Sequence, residues 1–257
     1  MAKADRENIK KKIIKIFNSN LLNKKPDVSG YNQNQEGRYG DWAEKMMGIK
    51  RNNKNKPDLF GFEQKNKTTS KTSYGDWSWS DAIFKKKSEL YKCTREEFFQ
   101  IFCKPNPEKN NRLSWSGEPF PKLGPPNNFG QWLEVEKSNN VIAYYSYSRD
   151  KRKDKEQKVP AQFRVDNLTL AIWSAEKLKK KLESKFNELG WFSLKQNKEG
   201  YYTDIVFGDP ITFDVWIQWV KDKKVFLDSG MYQGNPRPYQ NWRSSNAFME
   251  HILSESE

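Results

Sequence analysis

The sequence predicts an α+β (mixed α/β) fold in which helices and strands alternate along the chain. Apolar residues recur at helical intervals in residues 7–22 and 173–189. Short runs of aromatic and β-branched residues at 191–196 and 201–207 are typical of strands. No repeat or low-complexity segment interrupts the 257 residues, and no linker clearly divides them.

The first quarter of the chain predicts helix, loop, helix and strand in that order. Residues 7–22 form an amphipathic pattern with lysines between the apolar positions. Residues 23–37 lack periodicity and predict a long polar loop. We expect a short helix to begin at Asp41 and a strand over 59–62 to follow Pro57.

The rest of the chain continues this alternation. Residues 95–103 fit either a helix capped by Thr94 or a strand, and this choice stays open. Residues 105–130 are rich in Pro and Gly and predict irregular structure, whereas Ser138-Asn-Asn between two apolar runs predicts a hairpin. Further elements are an exposed charged loop at 149–158, helices at 173–189 and from Asp209 to about Val220, and strands at 191–196, 201–207 and 225–228.

The charge of the chain favours a polyanionic partner. Lys and Arg number 46 against 33 Asp and Glu, a formal net charge of +13. Such an excess favours binding to nucleic acid through counterion release. The alternative is a basic surface that serves only solubility, and charge alone does not distinguish DNA, RNA and anionic lipid.

Rare residue types exclude several kinds of site. Cys93 and Cys103 are too few for a disulfide framework and match no zinc spacing, so we expect reduced core thiols. The chain shows no signal segment and no apolar window of about 18 residues, which predicts a cytoplasmic protein without membrane attachment. With His251 as the single histidine, hydrolytic chemistry must depend on carboxylates, lysine and a metal ion.

Residues 57–65, Pro-Asp-Leu-Phe-Gly-Phe-Glu-Gln-Lys, contain the strongest candidate site. Phosphodiester hydrolysis needs oxygen ligands for a hard divalent cation such as Mg²⁺, and Asp58 and Glu63 supply two carboxylates. Lys65 lies two residues beyond Glu63, where its ammonium would stabilise developing phosphate charge. Glu44, on the preceding helix, is a further candidate ligand. The predicted catalytic set is therefore Glu44, Asp58, Glu63 and Lys65.

Strand geometry raises an objection to this site. Strict alternation along one strand would point Asp58 and Glu63 to opposite faces. We expect a bend or bulge at Gly61 to aim both carboxylates at one ion, because glycine tolerates such distortion. The alternative is a surface strand end with an ordinary ion pair, which contributes little stability.

Asp58 followed by Glu63-Gln64-Lys65 resembles the signature of the PD-(D/E)xK nucleases. Gly40-Asp-Trp-Ala-Glu44, at its interval before Asp58, is similar to the helix glutamate of the MutH-like branch, which includes the MvaI and BcnI restriction endonucleases. Looser similarity extends through nearly the whole chain and implies a role in DNA binding for Lys104. The end of the chain departs from the pattern, because the family's His-Gly and Phe-Arg are replaced by Asn241-Trp-Arg-Ser-Ser-Asn-Ala-Phe-Met.

The resemblance implies a restriction-endonuclease-like core, with a mixed central β-sheet flanked by helices, and a DNA-recognition lobe. One nuclease unit would span 1–257, with a catalytic lobe around 1–140 and a DNA-recognition lobe around 141–257. The implied reaction is Mg²⁺-dependent hydrolysis of double-stranded DNA that leaves a 5′-phosphate. The implied enzyme is a monomer that works beside a cognate DNA methyltransferase without binding it.

Base recognition needs side chains whose paired donors and acceptors match base edges, typically Arg for guanine and Asn or Gln for adenine. Residues 228–246 are rich in such side chains and are broken by Gly and Pro, which predicts a recognition loop. The alternative is an ordinary polar turn with phosphate-binding arginines. In the polar segment 31–35, Asn32 and Gln33 are candidates for minor-groove contacts. The candidates in the loop are Asp228, Gln233, Asn235, Arg237, Gln240, Asn241, Arg243 and Asn246.

Three functions are compatible with these observations. The first is a type II restriction endonuclease. The second is a DNA-nicking enzyme of mismatch repair like MutH, which would depend on a partner ATPase. The third is a non-catalytic DNA-binding or modification-sensing module, which the basic charge would suit equally but which the complete carboxylate set disfavours.

Overall fold

The computed structural model describes residues 3–33, 37–50, 54–66 and 70–254. Its helices are α1 (Lys3–Asn20), α2 (Arg38–Met46), α3 (Arg95–Phe102), α4 (Lys155–Lys158), α5 (Ala175–Phe186), α6 (Phe213–Lys221) and α7 (Asn246–Ser254). Its strands are β1 (Phe62–Lys65), β2 (Lys71–Asp76), β3 (Asp81–Ala82), β4 (Lys104–Asn106), β5 (Arg112–Trp115), β6 (Phe129–Val135), β7 (Val141–Asp150), β8 (Leu168–Trp173), β9 (Gly190–Gln196), β10 (Tyr202–Gly208), β11 (Val225–Ser229), β12 (Met231–Tyr232) and β13 (Gln240–Ser245).

The chain forms two compact units, each assembled from separate segments. Unit 1 contains Met1–Ser73, Lys180–Trp216 and Ser244–Glu257, and unit 2 contains Tyr74–Lys179 and Ile217–Arg243. These segments do not follow the ranges around 1–140 and 141–257. The assignment of catalysis and DNA recognition to two lobes stays a prediction.

Unit 1 contains a three-stranded mixed sheet in the order β1-β9-β10. The first five residues of β9 are buried, as expected for a central strand that is covered on both faces. Strand β1 pairs with β9 in parallel, with Glu63 opposite Trp191 and Lys65 opposite Ser193. Strand β10 pairs with the other edge of β9 in the antiparallel direction. The central strand thereby fixes the position of the strand that carries Glu63 and Lys65.

Helices α1 and α2 pack apolar side chains into the core of unit 1. The lysine-rich helix α1 contributes Ile13 and Phe17, which are spaced to lie on one face. Helix α2 contributes Trp42, whose indole stacks on Tyr202 of β10 with ring centroids 6.0 Å apart. This packing holds α2, and therefore Glu44, in unit 1. The buried core consists of Ile13, Phe17, Leu21, Trp42, Ala43, Met47, Ile49, Phe62, Leu189, Phe192, Leu194, Tyr202 and Ile205.

Unit 2 is built mainly from antiparallel strands. A four-stranded sheet has the order β3-β8-β7-β6, and a smaller sheet has the order β12-β5-β4. In β6 and β7, Trp132 lies opposite Tyr144 and their rings stack with centroids 5.3 Å apart. The hairpin predicted around Ser138-Asn-Asn is therefore confirmed.

The open choice at residues 95–103 is decided by a helix cap. Helix α3 begins after Thr94, whose hydroxyl accepts a hydrogen bond from the backbone N–H of Glu97 at 3.2 Å. The Glu97 carboxylate accepts the Thr94 backbone N–H at 2.6 Å in return. This reciprocal capping box satisfies two donors at the start of the helix.

Several predicted boundaries were wrong. The expected strand over 59–62 is mostly a turn, since β1 begins at Phe62. Trp173 ends strand β8 and does not begin a helix, because its backbone pairs with β7 and α5 starts only after Ser174. Proline and glycine enrichment concealed most of β4 and all of β5 in the segment 105–130, and likewise β12 and β13 in the segment 228–246.

The two cysteines lie in the interior of the protein. Cys93 and Cys103 are both buried free thiols, as predicted. None of the helices in the described part of the chain has the length and apolar character needed to cross a membrane.

Candidate active site

A tight turn brings Asp58 and Glu63 together in unit 1. Leu59 and Phe62 exchange two backbone hydrogen bonds of 2.9 Å, so the chain reverses over Phe60 and Gly61. Both central residues have positive φ, 51° and 89°, as in a type I′ hairpin turn. The predicted distortion at Gly61 is therefore a chain reversal and not a bulge within one strand.

This reversal removes the alternation objection. Directly opposed residues of an antiparallel pair point to the same face, and Asp58 and Glu63 are the next opposed positions after Leu59 and Phe62. The Asp58 carboxylate also accepts the backbone N–H of Gln64 at 3.0 Å. The two carboxylates thus share one side of the turn.

Glu63 is held by two lysine side chains. Its carboxylate is 1% exposed, and Oε1 lies 2.6 Å from Nζ of Lys65 and 2.7 Å from Nζ of Lys185. The other oxygen, Oε2, is buried without a hydrogen-bond partner among the described residues. Lys65 also lies over the ring of Phe186, 5.2 Å from its centroid. Two cations therefore neutralise Oε1 of Glu63, whereas Oε2 has no hydrogen-bond partner among the described residues that would offset its burial.

Burial and mutual repulsion favour the protonated forms of the nearby carboxyl groups. Burial, followed by the charge of Glu63, raises the pKa of Asp58 to about 7, against the opposing effect of Lys65. Burial also raises the pKa of Glu44 on α2, and the charges of Asp41 and Glu63 act in the same direction. The three carboxyl groups therefore interact electrostatically, in the way expected of a shared cation site.

The two lysines respond differently to the same surroundings. Burial opposes the charged form of Lys65, but Glu63, Asp58 and Glu44 together outweigh it and raise the pKa of Lys65. Burial and the neighbouring Lys65 lower the pKa of Lys185 despite the attraction of Glu63. Lys65 is thus the more firmly charged member of the pair.

The donor set fits a magnesium ion that completes its coordination with water and phosphate. Within the described ranges, no three His, Cys, Asp or Glu side chains are arranged to hold a metal ion. However, Mg²⁺ is commonly bound by one or two carboxylates together with substrate phosphates. Asp58 and Glu63 supply two carboxylates, and the unpartnered Oε2 of Glu63 needs a positive partner.

A side-chain anchor joins the segment before Asp58 to helix α5. The amide nitrogen of Asn55 donates to the carbonyl of Lys181 at 2.7 Å and to the hydroxyl of Ser184 at 2.6 Å. The Ser184 hydroxyl in turn donates to the Asn55 carbonyl at 3.2 Å. The segment that presents Asp58 is therefore tied to the helix turn that presents Lys185.

Lys185 was missed by the sequence prediction, although a signal for it was present. The predicted helix was recognised by its apolar stripe, which includes Leu182 and Leu189. Lys185 lies three residues after Leu182 and four before Leu189, so it falls on that inward stripe. A lysine at an apolar position of an amphipathic helix indicates a buried partner for its charge.

Many predicted DNA-binding side chains are engaged within the protein. Gln233 donates to the carboxylate of Glu96 and accepts the Leu113 backbone N–H. Gln240 is fully buried and donates to the Ser229 hydroxyl at 2.9 Å, which favours a structural role. The side chain of Asn235 donates to the Gly230 carbonyl and accepts the Arg237 backbone N–H. Asn246 accepts a hydrogen bond from the Thr72 hydroxyl. The amide of Gln33 donates to the carbonyls of Val28 and Tyr31.

Other candidates remain accessible to solvent. Arg237 and Asn32 are exposed, and Asn241 is half-buried on β13. The remaining candidates form ion pairs: Arg243 with Asp228 at 3.0 Å, and Lys104 with Glu118 at 3.3 Å. Residues 34 and 35 of the predicted minor-groove segment lie outside the described residues.

Comparisons with known proteins assign the chain to a family. The model of the LlaMI restriction endonuclease family matches residues 5–256. The chain is 41% identical over 264 residues to the type II restriction enzyme ScrFI of Lactococcus lactis subsp. cremoris, covering 96% of this chain and 97% of ScrFI. It also matches the solved complex of restriction endonuclease MvaI with its cognate DNA substrate, with a TM-score of 0.59 at 14% identity over 98% of this chain and 97% of MvaI. The fold is therefore that of MvaI, and the resemblance to PD-(D/E)xK restriction endonucleases is confirmed. The chain belongs to the LlaMI restriction endonuclease family.

Proposed function

We propose that this restriction endonuclease is a Mg²⁺-dependent type II enzyme that hydrolyses phosphodiester bonds at a short specific sequence in double-stranded DNA. The observation that carries the proposal is the tight turn that places Asp58 beside Glu63, with Lys65 on the Glu63 carboxylate. The similarity to ScrFI supports the reaction class, and the DNA complex of MvaI supports duplex DNA as the substrate.

The proposed roles follow from charge and position. Asp58 and Glu63 would hold the ion, and Glu44 would assist through an intervening water molecule, because no three carboxylates of the described residues are arranged to hold one ion directly. When bound, Mg²⁺ polarises the phosphate and makes water a better nucleophile. Lys65 would orient the attacking water and stabilise the negative charge that develops on the phosphate. Its contact with Glu63 fixes the ammonium at the site before substrate arrives.

The wider context of the enzyme is also part of the proposal. Exposed or half-buried polar side chains, including Arg237, Asn241 and Arg243, are the best-placed candidates for contacts with DNA bases or phosphates. Lys104 would contact phosphate. We propose that the protein acts as a monomer in the cytoplasm, and that a separate DNA methyltransferase protects the host sequence.

A plasmid cleavage assay tests the proposal. Several plasmids and a genomic DNA are incubated with purified protein in Mg²⁺, in EDTA, and with the variants Asp58→Ala and Asp214→Ala. Asp214 is an exposed carboxylate of α6 and serves as a matched control. We expect discrete double-strand fragments from the wild type and Asp214→Ala in Mg²⁺, and intact DNA from Asp58→Ala and in EDTA.

The pattern of products also separates the alternatives. Uncut DNA with both the wild type and Asp58→Ala would contradict the proposal and favour a non-catalytic DNA-binding module. Nicked circles without linear product would favour a nicking enzyme like MutH. Sequencing of the fragment ends identifies the recognition sequence and the cut position.

A further inference from the structure

Two cations share one oxygen atom of Glu63. Nζ of Lys65 and Nζ of Lys185 lie within 2.7 Å of Oε1, while Oε2 has no hydrogen-bond partner among the described residues. A single lysine is sufficient to pair with this carboxylate. The second ammonium therefore calls for an explanation beyond neutralisation of Glu63.

The second ammonium changes the net charge available to a metal ion. With Glu44, Asp58 and Glu63 ionised, Lys65 alone would leave a local charge of −2. Lys185 reduces that charge to −1. Because a divalent cation is attracted by net negative charge, each added ammonium within a few ångströms weakens its binding.

The protein holds Lys185 in this position. Lys185 lies in the last turn of α5, and its side chain is only 19% exposed. The anchor between Asn55 and Ser184 joins the adjacent helix turn to the segment before Asp58. The ammonium is therefore not a mobile surface charge that moves away at little cost.

We propose that Lys185 is a charge-balancing residue that acts through Glu63 to weaken divalent-cation binding by the DNA-free enzyme. The inference rests on the proposed metal-dependent function and deepens it. Lys65 keeps its proposed role toward the phosphate, whereas Lys185 sets the affinity of the carboxylates for the ion. A role limited to holding Glu63 in place predicts the opposite effect, since loss of that contact would disorder a ligand and weaken metal binding.

Calorimetric titration of the full chain with Mn²⁺ in the absence of DNA tests the proposal. The proteins are wild type, Lys185→Met, Lys185→Gln, Lys185→Arg and the control Lys180→Met, which removes an exposed lysine from the same helix. We expect Lys185→Met and Lys185→Gln to bind Mn²⁺ at least about tenfold more tightly than the wild type. Lys185→Arg, which retains the charge, and Lys180→Met should bind like the wild type.

Thermal denaturation without metal identifies any variant that fails to fold, and the two neutral substitutions provide independent tests. Unchanged or weaker Mn²⁺ binding by folded Lys185→Met and Lys185→Gln would overturn the inference. If the wild type nevertheless cleaves plasmid in Mg²⁺, the proposed endonuclease function stands and only the inference about Lys185 fails. A wild type that neither binds Mn²⁺ nor cleaves DNA would overturn the proposed function itself.

Discussion

At the scale of single residues, the site is a cluster of half-buried charges around the buried carboxylate of Glu63. Glu63 is balanced by two ammonium groups, whereas burial and the charge of Glu63 disfavour ionised Asp58. Ionisation of a carboxyl opposes folding when burial and a neighbouring negative charge outweigh the nearby cations, as they do at Asp58. The metal-free protein therefore carries an electrostatic cost at Asp58, which a bound divalent cation would offset.

The first prediction concerns stability as a function of pH. Because the pKa of Asp58 is raised from 3.8 to about 7, the folded state binds more protons than the unfolded state between these values. Stability should therefore fall as pH rises through this window. Asp58→Asn removes the ionisation and retains an acceptor for the Gln64 N–H. In EDTA at pH 8, we expect its Tm to exceed that of the wild type by on the order of 2–4 °C, about 1 kcal/mol.

The control for this prediction uses an exposed carboxylate. Asp214→Asn should give a difference from the wild type that does not change between pH 5 and pH 8. For Asp58→Asn, the gain should be clearly smaller at pH 5, where the folded wild type is already protonated at Asp58. An equal gain at both pH values would show that ionisation of Asp58 is not the cause.

At the scale of secondary-structure elements, the turn between Asp58 and β1 determines whether the two carboxylates meet. Phe60 adopts φ of 51° although it is not glycine, and the residue is 53% exposed. A bulky residue with positive φ is uncommon and costs conformational energy. The backbone hydrogen bonds between Leu59 and Phe62 hold the turn in this conformation.

The second prediction concerns the glycine of this turn. Gly61 has φ of 89°, and an added Cβ would lie 2.8 Å from Oε1 of Glu188 and 3.1 Å from Cδ1 of Leu189. Gly61→Ala should lower the free energy of unfolding by about 1–3 kcal/mol and reduce cleavage. Backbone strain at positive φ and close contacts of the added methyl group with Glu188 and Leu189 both oppose the native turn. Urea denaturation and the plasmid assay measure the two effects.

A second glycine of unit 1 separates strain from crowding. Gly48 also has positive φ, 78°, but an added Cβ there would meet nothing within 4 Å. Gly48→Ala should therefore be destabilised by backbone strain alone and should retain cleavage at temperatures where it is folded. If Gly61→Ala were as stable and as active as Gly48→Ala, the turn at Phe60 and Gly61 would not be what positions Asp58 beside Glu63.

At the scale of the whole molecule, the excess of positive charge is the property most relevant to DNA binding. The formal charge is +13, and the exposed basic residues include several on the 149–158 segment. Contacts between lysine or arginine and phosphate release condensed counterions, so affinity depends on salt concentration. This contribution is independent of the base sequence.

The third prediction is a strong salt dependence of DNA binding. Binding of the Asp58→Ala variant to a duplex with the mapped cleavage sequence is measured by fluorescence anisotropy in EDTA. If six or more phosphates are contacted, affinity should fall by roughly 10³-fold between 50 and 200 mM salt. A duplex without the sequence should show a similar slope at lower affinity. Affinity that is insensitive to salt would contradict an interface dominated by phosphate contacts.

The sequence by itself determined the local features of this protein. It predicted the α+β class, helices α1 and α5, the β6–β7 hairpin and strands β9 and β10, because periodicity and turn chemistry are properties of neighbouring residues. It also selected Glu44, Asp58, Glu63 and Lys65 as a candidate site, since their spacing lies within one short part of the chain. Their catalytic roles stay a prediction.

Only the three-dimensional structure decided which charged and polar side chains meet. It showed that Asp58 and Glu63 face each other across a turn, that Lys185 joins Glu63, and that Gln240 is buried. The meeting of Asp58 and Glu63 depends on the local chain reversal at Phe60 and Gly61, whereas the contact of Lys185 with Glu63 depends on the packing of α5 beside residues far from it in the chain. The sequence therefore identified the candidate carboxylates, and the fold determined which of them are paired with lysine side chains.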